Sequence, residues 1–313
     1  MHQVIKTIMI TGATGMVGQN LLEHPALQPY TILAPTRASL NLADYGSCLA
    51  YLNQYKPDLV IHAAGKVGGI QANIADPVGF LVENLDAGRN IVLAAHHAGI
   101  AHLINLGSSC MYPRAGQSPL TEDQILQGEL EPTNEGYALA KIITARLCNY
   151  ISKQYPSRCY KTLIPCNLYG RHDKFSPTHS HLIPAIIHKV HQAKLRSEKT
   201  VEIWGDGSAR REFMYAGDMA DAIIFCLDKI SALPSMVNVG LGHDFSIKEY
   251  YQAVSDIIGW EGNFVFDLSK PVGMQRKLVS TTIINDLGWH ARTSLSAGIE
   301  LSYAFYKENY ANI

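Results

Sequence analysis

Tyr137 and Lys141 stand four residues apart in Gly136-Tyr137-Ala138-Leu139-Ala140-Lys141, with Ser108 upstream in Leu106-Gly107-Ser108-Ser109-Cys110. Residues at that spacing lie one above the other on a helix face. An ammonium beside a phenol favours the phenolate and draws its pKa from about 10 towards neutrality. Such a phenol trades protons with a carbonyl or an alcohol, and a serine hydroxyl at a strand end can hold the same oxygen. Tyr-x-x-x-Lys also occurs on ordinary solvated helices, so its weight comes from what accompanies it.

What accompanies it is a glycine-rich turn near the start of the chain. Ile5 to Ile10 reads as a short apolar strand, followed by Thr11-Gly12-Ala13-Thr14-Gly15-Met16-Val17-Gly18 and a helical stretch. Glycines spaced Gly-x-x-Gly-x-x-Gly between strand and helix permit a tight turn and close backbone approach to a pyrophosphate at the helix N-terminus. The spacing is a variant of the dinucleotide-binding turn. A second apolar run, Tyr30 to Leu33, ends in Ala34-Pro35-Thr36-Arg37. An acid at that strand tip would bind a ribose 2′-hydroxyl, whereas an arginine pairs with a 2′-phosphate. Arg37 without an acid favours NADP over NAD.

These residues need a scaffold, and the first 170 residues alternate between strand-like and helix-like segments. Strands are expected at Ile5–Ile10, Thr31–Leu33, Leu59–His62, His102–Leu106 and Thr162–Leu168. Helices are expected at Met16–Glu23, Ser47–Gln54, Pro77–Ala98 and Tyr137–Tyr155. Such alternation predicts an α/β fold, a doubly wound parallel sheet of the Rossmann kind. Residues 1–170, with about 213–240, form the expected cofactor domain. Residues from about 171–212 and 241–313 form a smaller α/β substrate lobe, with a loop over His172–His181 and a helix over Pro184–Lys194.

Composition narrows the function classes. The chain has 313 residues, 47% of them hydrophobic, enough for one large or two modest domains. A formal net charge of −1 gives no electrostatic footprint for nucleic acid or acidic lipid. No apolar run reaches the ~18 residues of a membrane span, and the first strand begins too early to leave room for a signal peptide. Cys48, Cys110, Cys148, Cys159, Cys166 and Cys226 form no C-x-x-C pair and no regular framework. Reduced thiols in a cytoplasmic enzyme are expected.

In order and spacing, the glycine turn, Ser108, Tyr137 and Lys141 resemble the extended short-chain dehydrogenase/reductase superfamily along essentially the whole chain. The connecting strings are similar to the GDP-L-fucose synthase family: Ala64-Gly65-Lys66-Val67-Gly68-Gly69-Ile70, Gly107-Ser108-Ser109-Cys110-Met111-Tyr112-Pro113, Leu130-Glu131-Pro132-Thr133-Asn134-Glu135, Asn167-Leu168-Tyr169-Gly170, Ser180-His181-Leu182-Ile183-Pro184-Ala185 and Arg211-Glu212-Phe213. That family epimerises C3″ and C5″ of GDP-4-keto-6-deoxy-D-mannose and reduces C4″ with NADPH. The resemblance implies Tyr137 as proton donor to the C4″ alkoxide, with Lys141 lowering its pKa and binding the nicotinamide ribose. Ser108 holds the oxygen, Cys110 acts as base and His181 as acid. Cys110, two residues past Ser108, points to the same side if the chain there is extended, and imidazole titrates near neutrality.

The resemblance also implies NADP contacts at Gly12, Thr14, Gly15, Met16, Val17, Gly18 and Arg37. Further cofactor contacts fall at Ala63, Ala64, Leu106, Gly107, Lys141, Pro165, Asn167, Leu168 and His181. Substrate contacts fall at Ser109, Asn167, Lys189, Trp204, Arg211 and Lys277, and a homodimer through two long helices is expected. Lys189 stands where arginine is usual, and a point charge defines a diphosphate less well than a guanidinium fork. Val272 replaces an aspartate in Lys270-Pro271-Val272-Gly273, and Gly136 and Arg171 replace prolines. His179 and His181, with His172 and Asp173, could be read as metal ligands, but no ligand spacing is completed and no metal is expected. His96, His97, His188 and His191 read as helix-face residues. Three rivals remain: a 4,6-dehydratase, disfavoured because no acid follows Ser108; a non-catalytic NADP-binding protein, disfavoured by the intact set; and the same chemistry on a GDP-L-colitose or GDP-heptose precursor.

Overall fold

The computed structural model describes residues 5–176, 180–270 and 274–310. The chain runs through β1 (Thr7–Thr11), α1 (Met16–Leu22), β2 (Thr31–Leu33), α2 (Tyr45–Tyr55), β3 (Leu59–His62), α3 (Ile70–Ala75), α4 (Pro77–His97) and β4 (His102–Leu106). It continues with α5 (Glu135–Gln154), β5 (Cys159–Pro165), β6 (Asn167–Tyr169), α6 (Leu182–Leu195), β7 (Thr200–Trp204), β8 (Arg210–Arg211), β9 (Phe213–Tyr215), α7 (Ala216–Asp228) and β10 (Met236–Val239). The last elements are β11 (Phe245–Ser246), α8 (Ile247–Ile258), β12 (Asn263–Asp267), β13 (Arg276–Lys277), α9 (Thr282–Asp286) and α10 (Leu295–Asn309).

Six strands in the order β2-β1-β3-β4-β5-β10 form one all-parallel sheet. Strand order reverses between β1 and β3, so their carboxyl ends open the crevice in which such sheets bind ligands. Side chains alternate across the strands. Met9, Val60, Leu103 and Tyr160 face one buried layer with Leu52 of α2, Ile91 and Ala95 of α4, and Cys148 and Ile151 of α5. Ile8, Ile10, Leu59, Ile61 and Ile104 face the other, with Leu21 of α1 and Met219 and Ile223 of α7. The doubly wound parallel sheet expected from the sequence is thus observed.

A separate apolar cluster joins α6, α8 and α10 to β7 and β9 through Ile187, Val190, Ile203, Phe213, Tyr250, Val254 and Tyr306. Helix α8 is bounded by its sequence: Ser246 and Glu249 form a reciprocal cap, and Gly259 ends it with φ +69°. Short pairs complete this region, with β11-β8-β13 in one small sheet and β12 beside β7 in another.

One local expectation is corrected. Thr162–Leu168 is not one strand: β5 ends at Pro165, Cys166 bonds from its N–H to the Val239 carbonyl, and β6 leaves the main sheet to pair with β9. Proline cannot donate to a ladder, which suits a strand end. His191, read from the sequence as a helix-face residue, is on a buried face, and its Nδ1 lies 3.0 Å from the Tyr303 hydroxyl of α10.

Candidate active site

The turn after β1 is shaped by glycines that no larger residue could replace. Gly12 has φ +71°, and a Cβ there would lie 2.6 Å from the Ala64 nitrogen, just past β3. At Gly18 a Cβ would lie 2.3 Å from the Gly12 carbonyl oxygen. Gly15 donates to that carbonyl at 3.0 Å and starts α1 in extended conformation, with no side-chain cap. Backbone N–H groups at this end are therefore left for a ligand. Thr14 is exposed and Met16 and Val17 are half-buried on the first turn, while Ala63 and Ala64 form the facing wall. This cradle, bare of side chains at the switch point, fits a dinucleotide pyrophosphate. Arg37 is exposed in the turn beyond β2.

Leu106, Gly107 and Ser108 end β4, and Pro165, Asn167 and Leu168 bracket the β5–β6 break beside it. Lys141 comes from the second turn of α5, is buried, and donates to the Leu106 carbonyl at 2.9 Å. Burial pushes its ammonium down to about 8. Tyr137, one turn earlier and half-buried, has its ring centroid 5.8 Å from the Lys141 Nζ.

The direction of the Tyr137 shift is a correction. Burial pushes the phenol up, the nearby Cys110 adds to this, and its hydrogen bond with Ser108 only partly offsets them. The expected pull of Lys141 towards phenolate does not win against burial; its ammonium bonds to the Leu106 carbonyl. Tyr137 therefore keeps its proton at neutral pH. A phenol that stays protonated is the form a reductase needs, since it must give a proton to an alkoxide.

Cys110 reaches the same place by a different geometry from that expected. Ser109–Met111 is a turn of 3-10 helix rather than an extended strand. Ser108 caps it, its Oγ accepting from the Cys110 N–H at 3.2 Å. The half-buried Cys110 sulfur accepts from the Asn134 amide at 3.2 Å and from the Lys277 ammonium at 3.7 Å. Asn134 is the residue that sequence reasoning missed. Its signal was there, in the Pro132-Thr133-Asn134 turn that leads into α5.

His181 precedes α6, and the chain beside it comes close to Gly69, where a Cβ would lie 3.4 Å from the Ser180 carbonyl oxygen. Its Nδ1 is 3.8 Å from Oδ1 of Asp173, a buried carboxylate. His172 pairs with Glu23 at 2.7 Å instead. Among the described residues no three His, Cys, Asp or Glu side chains group as metal ligands. His179 and the 271–273 stretch with Val272 lie outside the described residues.

The expected substrate contacts divide. Ser109 is buried within the 3-10 turn, and the Asn167 amide donates to the Glu212 carbonyl at 3.0 Å. Lys189 of α6 donates to the Glu202 carbonyl and Trp204 of β7 to the Glu202 carboxylate, so both lie beside Glu202. Arg211 of β8 pairs in register with Lys277 of β13, which brings the two cations side by side. Arg276 is bound to Asp244 together with Arg210 and holds the small sheet. Glu212 fixes the floor between them, accepting from the N–H groups of Leu241, Gly242 and Val279.

Residues 8–240 match the model of the NAD dependent epimerase/dehydratase family. The chain belongs to this family. It is 50% identical over 299 residues to the GDP-L-colitose synthase of Yersinia pseudotuberculosis, covering 96% of this chain and 97% of that one. It is 49% identical over 301 residues to the GDP-L-fucose synthase of Azorhizobium caulinodans, covering 96% of each. Among solved structures, a GDP-mannoheptose C4 reductase from Campylobacter jejuni with NADP bound superposes with a TM-score of 0.89 at 31% identity, over 98% of this chain and all of that one.

Proposed function

We propose that this protein is an NADPH-dependent 3,5-epimerase/4-reductase that converts GDP-4-keto-6-deoxy-D-mannose to GDP-L-fucose. The observation that carries the reading is a cysteine on the turn capped by Ser108, the residue whose hydroxyl bonds to the Tyr137 phenol above Lys141. Bound NADPH supplies hydride to the C4″ carbonyl carbon. Tyr137 and Ser108 hold the C4″ oxygen. While it is a ketone oxygen, their hydrogen bonds stabilise the enolate left when a C3″ or C5″ proton departs. Cys110 takes that proton, and His181, held near Asp173, returns one from the opposite face. When C4″ is reduced, Tyr137 gives its proton to the alkoxide. Lys141 orients the nicotinamide ribose.

The cofactor lies on residues 1–170 with about 213–240. The GDP-sugar lies against about 171–212 and 241–313, where Lys189, Arg211 and Trp204 meet its nucleotide end. With purified protein, GDP-4-keto-6-deoxy-D-mannose and NADPH, the expected result is NADPH oxidation and a GDP-L-fucose product identified by NMR. The relative at 50% identity supports a second reading, the same chemistry on the GDP-L-colitose precursor, with a GDP-heptose precursor behind it. Turnover of either of those, with none of the first substrate, moves the assignment.

Arg37 carries the choice of nicotinamide cofactor. No acid stands at the β2 tip to bind a 2′-hydroxyl, so NADPH should give the higher kcat/KM. Arg37→Ala should narrow the gap by about 1.5–3 kcal/mol, the worth of a hydrogen bond to a charged group. Equal kcat/KM for NADPH and NADH in the unaltered protein would remove this role.

Quaternary structure follows from α4 and α5, which pack side by side. Val78 is 71% and Tyr150 60% exposed, with Val82 and Ile143 also exposed along these helices. An apolar face shared by two long helices suits pairing across a two-fold axis into a four-helix bundle. Light scattering should report a homodimer at micromolar concentration; a monomer there would contradict the assignment. Among the described residues no helix is long and apolar enough to cross a membrane. All six cysteines are free, which suits the cytoplasm.

A further inference from the structure

We propose that Asn134 and Lys277 are positioning residues for Cys110, and that together they hold its sulfur as the anion that removes carbon-bound protons. Three separate pieces of chain converge to do so. The sulfur comes from the 3-10 turn after β4, the amide from the turn before α5, and the ammonium from β13. Both contacts, 3.2 Å from Asn134 Nδ2 and 3.7 Å from Lys277 Nζ, place donors on the sulfur. An ammonium has only donors, and a thiolate accepts hydrogen bonds far better than a thiol. Two donors meeting at one sulfur are therefore complementary to the anion.

Other cysteines in the chain are held differently. Burial pushes the thiols of Cys48, Cys148 and Cys226 up to about 12 and that of Cys166 up as well. Cys159 is also raised by burial and donates its proton to the Ile230 carbonyl. Among the described residues, Cys110 is the one cysteine with both an ammonium and an amide donating to its sulfur. The other titratable groups around it are the Tyr137 phenol from α5 and, one strand beyond Lys277, Arg211 with Glu131 acting on it.

In the proposed step the carbon–hydrogen bond at C3″ or C5″ breaks and a sulfur–hydrogen bond forms. The electron pair moves to the C4″ oxygen as an enolate. A neutral thiol has no capacity for that proton, so the step draws on the anion, to which two donors at the sulfur are complementary. Lys277, expected as a substrate contact, has its ammonium 3.7 Å from the proposed base. This assignment rests on the proposed epimerisation, but the state of the sulfur can be read without any substrate.

The test is alkylation of Cys110 by iodoacetamide in the full chain, quantified by peptide mass spectrometry at neutral and at strongly alkaline pH. Lys277→Met and Asn134→Leu should each slow the neutral reaction by about tenfold, the change in thiolate fraction over one pH unit. Both should match the unaltered protein at alkaline pH, where hydroxide does the ionising, and Lys277→Arg should recover most of the neutral rate. Equal slowing at both pH values would mean lost access or altered packing and would overturn the proposal. So would unchanged alkylation with a raised substrate KM, which leaves Lys277 a substrate contact only. Faster neutral alkylation in Asn134→Leu would show an amide that accepts the thiol proton, again overturning it. If the alkylation pattern holds but the unaltered enzyme exchanges no C3″ or C5″ hydrogen with solvent, the substrate reading fails and the sulfur assignment stands.

Discussion

Tyr137→Phe should lower NADPH oxidation by about 10²–10⁴-fold, the usual worth of a positioned general acid. The change removes one oxygen from a half-buried ring and leaves the edge contact with Phe80, at 6.4 Å between centroids, in place. Cofactor affinity should therefore be kept while the rate falls, a split read from NADPH fluorescence titration against steady-state turnover. The pH profile of kcat/KM, which reports the free enzyme, should show its alkaline limb at about 8. Lys141 is charged below that value and loses its proton as pH rises through it. Tyr137 is not the source, since burial pushes its phenol above the ordinary range and it stays protonated throughout. Loss of the limb in Lys141→Met would assign it. An unaltered rate in Tyr137→Phe would remove the phenol from the chemistry.

The sequence made the cofactor half of this molecule legible because its signals are local. Strands Leu59–His62 and His102–Leu106 are found at the expected residues, as largely apolar runs buried on both faces except at His102. The glycine turn could be read because only glycine tolerates φ +71° with a backbone 2.6 Å from its missing Cβ. What could not be read depends on neighbours distant in sequence. The break after Pro165 is set by a bond from Cys166 to Val239 and by pairing with β9, neither of which leaves a periodic trace. Two-residue strands such as β8 and β13 have no period at all.

The site divides in the same way. Tyr137 and Lys141 share a helix face, so their proximity follows from spacing alone. Lys277 is 167 residues from Cys110, and tertiary pairing, of β13 with β8 and of Leu120 with Leu278 and Ser280, holds its segment there. The sign of the Tyr137 shift was missed for a related reason. Spacing shows that an ammonium is near, but not how deeply the fold buries the phenol beside it.

Cys110→Ser should separate the two chemistries, because in the proposed reaction the sulfur moves carbon-bound protons while Tyr137 serves the oxygen. With GDP-4-keto-6-deoxy-D-mannose and NADPH, the variant should give little GDP-L-fucose. Direct reduction of the unepimerised ketone should remain open, giving a GDP-6-deoxyhexose with C3″ and C5″ uninverted. In deuterium oxide the unaltered enzyme should place solvent deuterium at both carbons, and the variant at neither. A serine hydroxyl is a much weaker base than a thiolate near pH 7, while its size leaves the capping bond from the Cys110 N–H to Ser108 undisturbed. His181→Asn should also block inversion, since no acid then returns a proton from the opposite face. It should still permit deuterium exchange on the Cys110 side, where abstraction and return use the same sulfur. Full exchange at C3″ and C5″ by Cys110→Ser would take the sulfur out of the mechanism, and exchange lost in His181→Asn alone would make the imidazole the base.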